Sequence, residues 1–167
     1  MCIAYLCRLS ANAMVLDNKP SKECLSLLIL LVVDFCQNPL FSKCIDEKRE
    51  WYNQILRLIA LTHDLGHAPF SHASESVFPD GLEHEDFTEK IVKETCIGSY
   101  IREIGASFKE KYGEEYDITP ELICDIYLGR NPGENSEFTF LKSFMDSELD
   151  CDKMDYLLRD STFCGVN

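Results

Sequence analysis

Long apolar runs, basic residues and chain-breaking residues are all scarce in this sequence. The longest apolar stretch, Leu25 to Val33, is interrupted by Ser26 and closed by Asp34, well short of the roughly 20 residues that a membrane span needs. It reads as a buried helix, and no membrane association is expected. The start of the chain lacks a basic segment followed by a cleavage site, so it does not resemble a secretory leader, and the cytoplasm is the expected compartment. Sixteen basic residues against twenty-nine acidic ones leave a net charge of −13. That balance disfavours a nonspecific grip on duplex nucleic acid or on an anionic membrane. A small anionic substrate stays open, because a metal ion and a few local cations reverse the field at a site. Six prolines and eight glycines in 167 residues favour long helices over a strand-and-turn architecture. The nine cysteines are scattered, with no C-x-x-C pair and an odd total. A zinc ribbon or a disulfide framework is therefore not expected, and the cysteines read as reduced core residues.

The pattern that is present is helical throughout. Ile3, Leu6, Leu9 and Met14 follow a helical period from the first residue, and a second apolar helix is expected from about Lys22 to Cys36, ended by Asn38 and Pro39. A third helix, Glu47 to Asp64, places Trp51, Ile55, Leu58, Ile59 and Thr62 on one buried stripe. Pro69 must break or redirect the chain after it. A short helix then carries His72, Glu75 and Phe78, and a longer one, Glu83 to Cys96, buries Phe87, Ile91 and Val92 with His84 in its first turn. Ile97, Ile101, Ile104, Phe108 and Tyr112 continue at helical spacing. Thr119 and Pro120 form a helix start, with Gly129 as its stop. Residues 130–137 read as a flexible loop, and Phe138 to Leu149 and Asp152 to Asp160 close the chain as helices. A single all-α domain is expected over 1–167.

Chemistry concentrates in L-T-H-D-L-G-H-A-P-F-S-H, Leu61 to His72, which packs three of the four histidines and an aspartate into twelve residues. Adjacent His63 and Asp64 at a helix end offer an imidazole nitrogen and a carboxylate oxygen to one divalent ion, with His67 a turn further on. His72 and His84 follow. Histidines beside a carboxylate at this density point to metal-assisted hydrolysis, with spare imidazoles as general acid or base. Glu75, Glu83 and Glu85 read as surface charges.

The stretch H-D-L-G-H-A-P-F-S-H, His63 to His72, together with D-C-D-K-M-D-Y-L-L-R-D, Asp150 to Asp160, resembles the HD-domain phosphohydrolases. It is most similar to their deoxynucleoside triphosphate triphosphohydrolase branch, which includes bacterial dGTPases. The resemblance implies an all-α helical bundle with a multi-helix orthogonal core, a divalent transition metal ion as cofactor, and release of inorganic triphosphate from a deoxynucleotide. Carried over by position, it implies His63, Asp64 and Asp152 as metal ligands, with Asp64 also counted in the catalytic set. His67 and His84 match histidines that contact the phosphates and transfer protons to the leaving group. His72 matches a further active-site histidine, Lys153 a lysine on the phosphate tail, and Tyr156 and Asp160 residues that hold the sugar. Residues 152, 156 and 160 differ by multiples of four, and 153 and 156 by three, so one broad helix face presents all four. Iron, manganese, zinc and magnesium are left undistinguished, and homo-oligomerisation of a full-length form is implied.

The pattern departs from the family at one point, since no histidine precedes His63 where the family has its first metal ligand in a segment of the type R-F-x-H-S-x-G. The expectation is a chain cut inside an element at its start and short of the family's later helices at its end, with weakened metal affinity. A second class of function is therefore weighed: a catalytically inactive HD module that binds nucleotide or a protein partner. The presence of His67, His84, Lys153 and Tyr156 argues for the enzyme.

Overall fold

The computed structural model of the chain describes residues 46–79, 81–130, 136–146, 148 and 151–165. The two helices expected within residues 1–36 lie outside the described residues. Among the described residues there are helices and turns and no strand, as the sparse glycine and proline predict. The first helix, α1 (Asp46–Thr62), carries Asp46 and Glu47 in its first turn, where carboxylates meet the positive end of the helix dipole. All five residues of the expected stripe are buried. So are Tyr52, Gln54, Leu56 and Ala60, so α1 is covered over more of its circumference than one amphipathic stripe requires.

The helix stops at Thr62, two residues before the expected end. Thr62 Oγ donates back to the Leu58 carbonyl at 2.8 Å, and three-residue turns take over, Leu65 N to Thr62 O and His67 N to Asp64 O, both at 3.2 Å. Pro69 is followed by two residues in the left-handed region, Phe70 at φ 72° and Ser71 at φ 52°, which reverse the chain into a short 3-10 helix, Ser71–Val77. Phe78 closes that element instead of belonging to it.

Helix α2 (His84–Glu94) opens with a reciprocal cap between Glu83 and Asp86. It buries His84, Thr88 and Val92, while Phe87 and Ile91 are only half-buried. Extended Thr95 separates it from α3 (Cys96–Tyr112) and serves as the N-cap of α3, accepting from Ile97 N. The expected start at Thr119 and Pro120 is found: Thr119 accepts from Leu122 N at 3.1 Å and opens α4 (Pro120–Tyr127). Gly129, at φ +67°, ends the turn after α4, a conformation that glycine adopts without a Cβ penalty. Helix α5 (Ser136–Ser143) begins inside the segment read as a loop and stops earlier than Leu149, and α6 (Cys151–Cys164) runs past Asp160.

Ile55, Leu56 and Ile59 of α1 meet Val92, Ile101, Ile118, Ile123, Ile126 and Leu141 in one core. Helix α4 lies at its middle, in contact with α1, α2, α3 and α5, which brings Tyr127 at its end to the mouth of the site. The cysteines divide: Cys124 is buried, where desolvation raises its thiol to about 11, whereas Cys96 and Cys164 are exposed, contrary to the expected core placement. No helix among the described residues is long and apolar enough to cross a membrane.

Candidate metal and phosphate site

The tightening of the chain after Thr62 turns His63 inward, leaving 11% of its side chain exposed. Its Nδ1 lies 3.1 Å from the Ala60 carbonyl. A carbonyl only accepts, so Nδ1 carries the ring proton and Nε2 keeps a lone pair. That Nε2 is shut off from solvent and makes no hydrogen bond. It faces Asp64 Oδ1 at 3.3 Å and Asp152 Oδ1 at 3.7 Å. One donor atom from each of the three residues lies within 4.8 Å of the others. Three electron-pair donors turned on one another repel unless a proton or a metal cation sits among them, and an imidazole with two carboxylates suits a divalent transition metal. The residues present therefore fit such an ion, and the Ala60 carbonyl supplies the outer hydrogen bond that orients a ligating histidine.

Gly66 lets this turn sit against α2. A Cβ there would collide with the His84 carbonyl and the Thr88 amide and lie 2.7 Å from the Thr88 hydroxyl. The same hydroxyl accepts from Gly66 N and donates to the His63 carbonyl, each at 2.9 Å.

Beside the first cluster lies a second, made of His67, His72, Glu75 and His84. The rings of His67 and His84 stack with centroids 3.8 Å apart and planes 14° from parallel. Glu75 Oε1 lies 2.6 Å from His84 Nδ1 and 3.0 Å from His72 Nδ1, and Glu85 Oε2 lies 3.2 Å from His84 Nδ1. These contacts correct the reading of Glu75 and Glu85 as surface charges. The hydrogen bonds to His84 and then His72 hold the Glu75 carboxyl below its ordinary range, so it is a carboxylate at neutral pH. Burial, and next the neighbouring His84, lower the pKa of His67, so His67 is neutral there. Asp64 Oδ1 is 3.5 Å from His67 Nε2 and joins the two clusters.

His63, Asp64 and Asp152 of the first cluster and His67, His72 and His84 of the second line one open cleft of about 690 Å³, which Arg130, Lys142 and Lys153 also border. Arg130 Nη1 donates to both oxygens of Glu89 at 2.8 and 2.6 Å, and Lys142 pairs with Asp146 at 3.0 Å. Tyr127 stands edge-on to the His63 ring at 6.2 Å. Burial, with Glu85 nearby, pushes its hydroxyl well above the usual phenol range.

Of the residues singled out in the sequence, His63, Asp64, His67, His72, His84, Asp152 and Lys153 all border this cleft. Asp160 is exposed and does not. Tyr156 lies on α6, but its side chain lies outside the described residues. The sequence reading missed Glu75, Thr88, Tyr127, Arg130 and Lys142. Only Glu75 carried a local signal, since it follows His72 by one helical turn.

Residues 44–155 match the model of the family described as HD domain. The chain is 37% identical over 109 residues to the uncharacterised Bacillus subtilis protein YwfO, covering 65% of this chain and 21% of that protein. It is 32% identical over 127 residues to the Dictyostelium discoideum deoxynucleoside triphosphate triphosphohydrolase SAMHD1 homolog, covering 71% of this chain and 22% of the relative. With the Gallus gallus deoxynucleoside triphosphate triphosphohydrolase SAMHD1 it shares 29% identity over 128 residues, 66% of this chain and 21% of that one. The chain thus spans about a fifth of the length of these relatives. No solved structure matches it.

Proposed function

Because the chain belongs to the HD domain family of metal-dependent phosphohydrolases, we propose that its cleft hydrolyses deoxynucleoside triphosphates to the deoxynucleoside and inorganic triphosphate. The observation that carries this reading is the solvent-shielded, unbonded Nε2 of His63 between two carboxylates, with two stacked histidines in the same cleft. The two triphosphohydrolases among the relatives support the substrate class.

His63, Asp64 and Asp152 hold the divalent ion, which supplies Lewis-acid polarisation of a phosphoryl oxygen when bound. Water attacks the α-phosphorus. The bond from phosphorus to the 5′ oxygen breaks, its electron pair stays on that oxygen, and the oxygen takes up the proton that the attacking water gives up. Glu75 fixes the ring of His84 and the proton on its Nδ1, leaving Nε2 to exchange a proton with the substrate. Neutral His67 hydrogen-bonds the phosphates, and His72 lies against the same glutamate. Lys153 supplies positive charge to a tail of three phosphates, and Lys142 and Arg130, which border the same cleft, join it by exchanging Asp146 and Glu89 for phosphate oxygens. Tyr156 on α6 is assigned to the sugar, as the resemblance implies, whereas Asp160, exposed and away from the cleft, is given no part in it.

The test is to incubate the chain with a divalent metal and each deoxynucleoside triphosphate and to identify the product. Inorganic triphosphate with free deoxynucleoside is expected. Release of phosphate or pyrophosphate alone would move the chain to another phosphohydrolase class. Nucleotide binding without release of any of these would replace the enzyme with the binding module.

A further inference from the structure

We propose that Lys142 takes up and gives back the triphosphate chain, and that Asp146 is its internal competitor, a carboxylate that holds the ammonium in the empty cleft and recaptures it as inorganic triphosphate leaves. Both residues border the cleft. Among the described residues that line it, six carry carboxylates and three are permanent cations, so each cation weighs heavily on the binding of a polyanion. Lys142 lies in the last turn of α5, and its stem runs over Gly129, where a Cβ would come within 3.0 Å of Nζ and 3.3 Å of Cδ. The bare glycine, at φ +67°, leaves room for the lysine and brings its amine to the residue next to Arg130. One turn on, Asp146 N donates to the Lys142 carbonyl at 3.0 Å, and Asp146 Oδ2 meets Nζ at 3.0 Å.

An ion pair four residues apart is ordinarily a solvated surface pair; what sets this one apart is that both members line the cleft. The other pair on the rim is held harder. Glu89 accepts twice from Arg130 and pairs with Lys93, has 18% of its side chain exposed and does not border the cleft. Asp146 makes one ion-pair contact, and 66% of its side chain is exposed. So exposed a pair contributes little in water, whereas a phosphate oxygen offers lysine a charge-assisted hydrogen bond to a group of higher charge. Exchange therefore runs toward the phosphate chain when it is present. The carboxylate stays tethered one turn away, limits how tightly the chain is held and hastens its release. That role in product release rests on the proposed triphosphohydrolase reading, whereas the binding of inorganic triphosphate does not.

The experiment is titration calorimetry of the full chain with inorganic triphosphate, in excess magnesium and at fixed ionic strength, alongside Lys142→Met, Asp146→Asn and the two combined. Methionine keeps the stem on Gly129 and removes only the ammonium. Lys142→Met should weaken binding at least about tenfold. Asp146→Asn should tighten it about fivefold, and that gain should vanish in the combined variant, because the carboxylate acts through the lysine. Lys109→Met, which removes the same charge from the last turn of α3 outside the cleft, should leave the affinity unchanged. A native chain that does not bind inorganic triphosphate, an Asp146→Asn affinity at or below the native one, or the same gain with and without Lys142 would overturn the proposal. If the affinities follow the expected cycle and no deoxynucleotide yields triphosphate, the lysine–aspartate exchange stands and the triphosphohydrolase reading falls. If triphosphate is released, Asp146→Asn should be inhibited by added inorganic triphosphate at about fivefold lower concentration than the native chain, and equal inhibition rejects the role in release.

Discussion

The Thr88 hydroxyl on α2 donates to the His63 carbonyl at 2.9 Å, across 25 residues of sequence. Because the same oxygen accepts from Gly66 N, one side chain spans the turn that carries His63 and Asp64 and ties it to the helix that carries His84. Replacing Thr88 with valine keeps the shape and leaves a buried amide and a carbonyl without partners. We expect a loss of about 2 to 4 kcal/mol in a denaturant titration. Metal affinity should fall about tenfold as the ligand pair loosens. Thr88→Ser should retain most of both.

Gly66→Ala tests the same junction by steric means. The added methyl meets backbone of α2 at His84 and Thr88, which has no flexible side chain to swing aside. A cost of at least about 3 kcal/mol is expected, read as a lowered thermal midpoint. An unchanged midpoint would mean that the turn and α2 are not in contact.

His63→Ala removes the imidazole whose Nε2 faces Asp64 and Asp152. Manganese affinity, measured by titration and elemental analysis, should fall at least about tenfold with the helical circular dichroism unchanged. Asp152→Asn should act in the same direction by removing the carboxylate contributed from α6. Retained affinity in both variants would place the ion elsewhere.

Glu89 binds Lys93 at 2.6 Å and both its oxygens accept from Arg130. The Lys93 hydrogen bond is the chief reason that its pKa lies below the ordinary glutamate value of 4.5. A depressed carboxylate binds fewer protons folded than unfolded, so its stabilisation is complete above the unfolded pKa and disappears as pH falls through the folded one. Glu89→Gln should therefore be about 1 kcal/mol less stable than the native chain at pH 7, with the gap closing in acid. A gap that persists at acid pH would remove the charge from the explanation.

Local chemistry along the chain made the helical character, the caps at Thr119 and Pro120, and the His63–Asp64–His67 group legible without a structure. Each depends on residues within a turn or two of one another, and 3.6 residues per turn fixes those neighbours. The ends of α1 and α5 were misplaced because a three-residue turn after Thr62 and the break after Ser143 leave no strong punctuation in the sequence. The family motif brought Asp152 to the metal by analogy, whereas its approach to His63 at 3.7 Å depends on how α6 meets the end of α1. Glu75 was read as a surface charge because nothing near it in sequence shows that the chain reverses at Phe70 and Ser71 and lays it against His84. Tyr127, Arg130 and Lys142 reach the cleft, and Thr88 reaches the turn beneath it, only because α2, α4 and α5 gather around one isoleucine-rich core. Residue types and their short spacings thus determined what chemistry this protein carries. Which groups meet to perform it was decided by the packing of helices far apart in sequence, because side-chain complementarity between such segments leaves no trace in local periodicity.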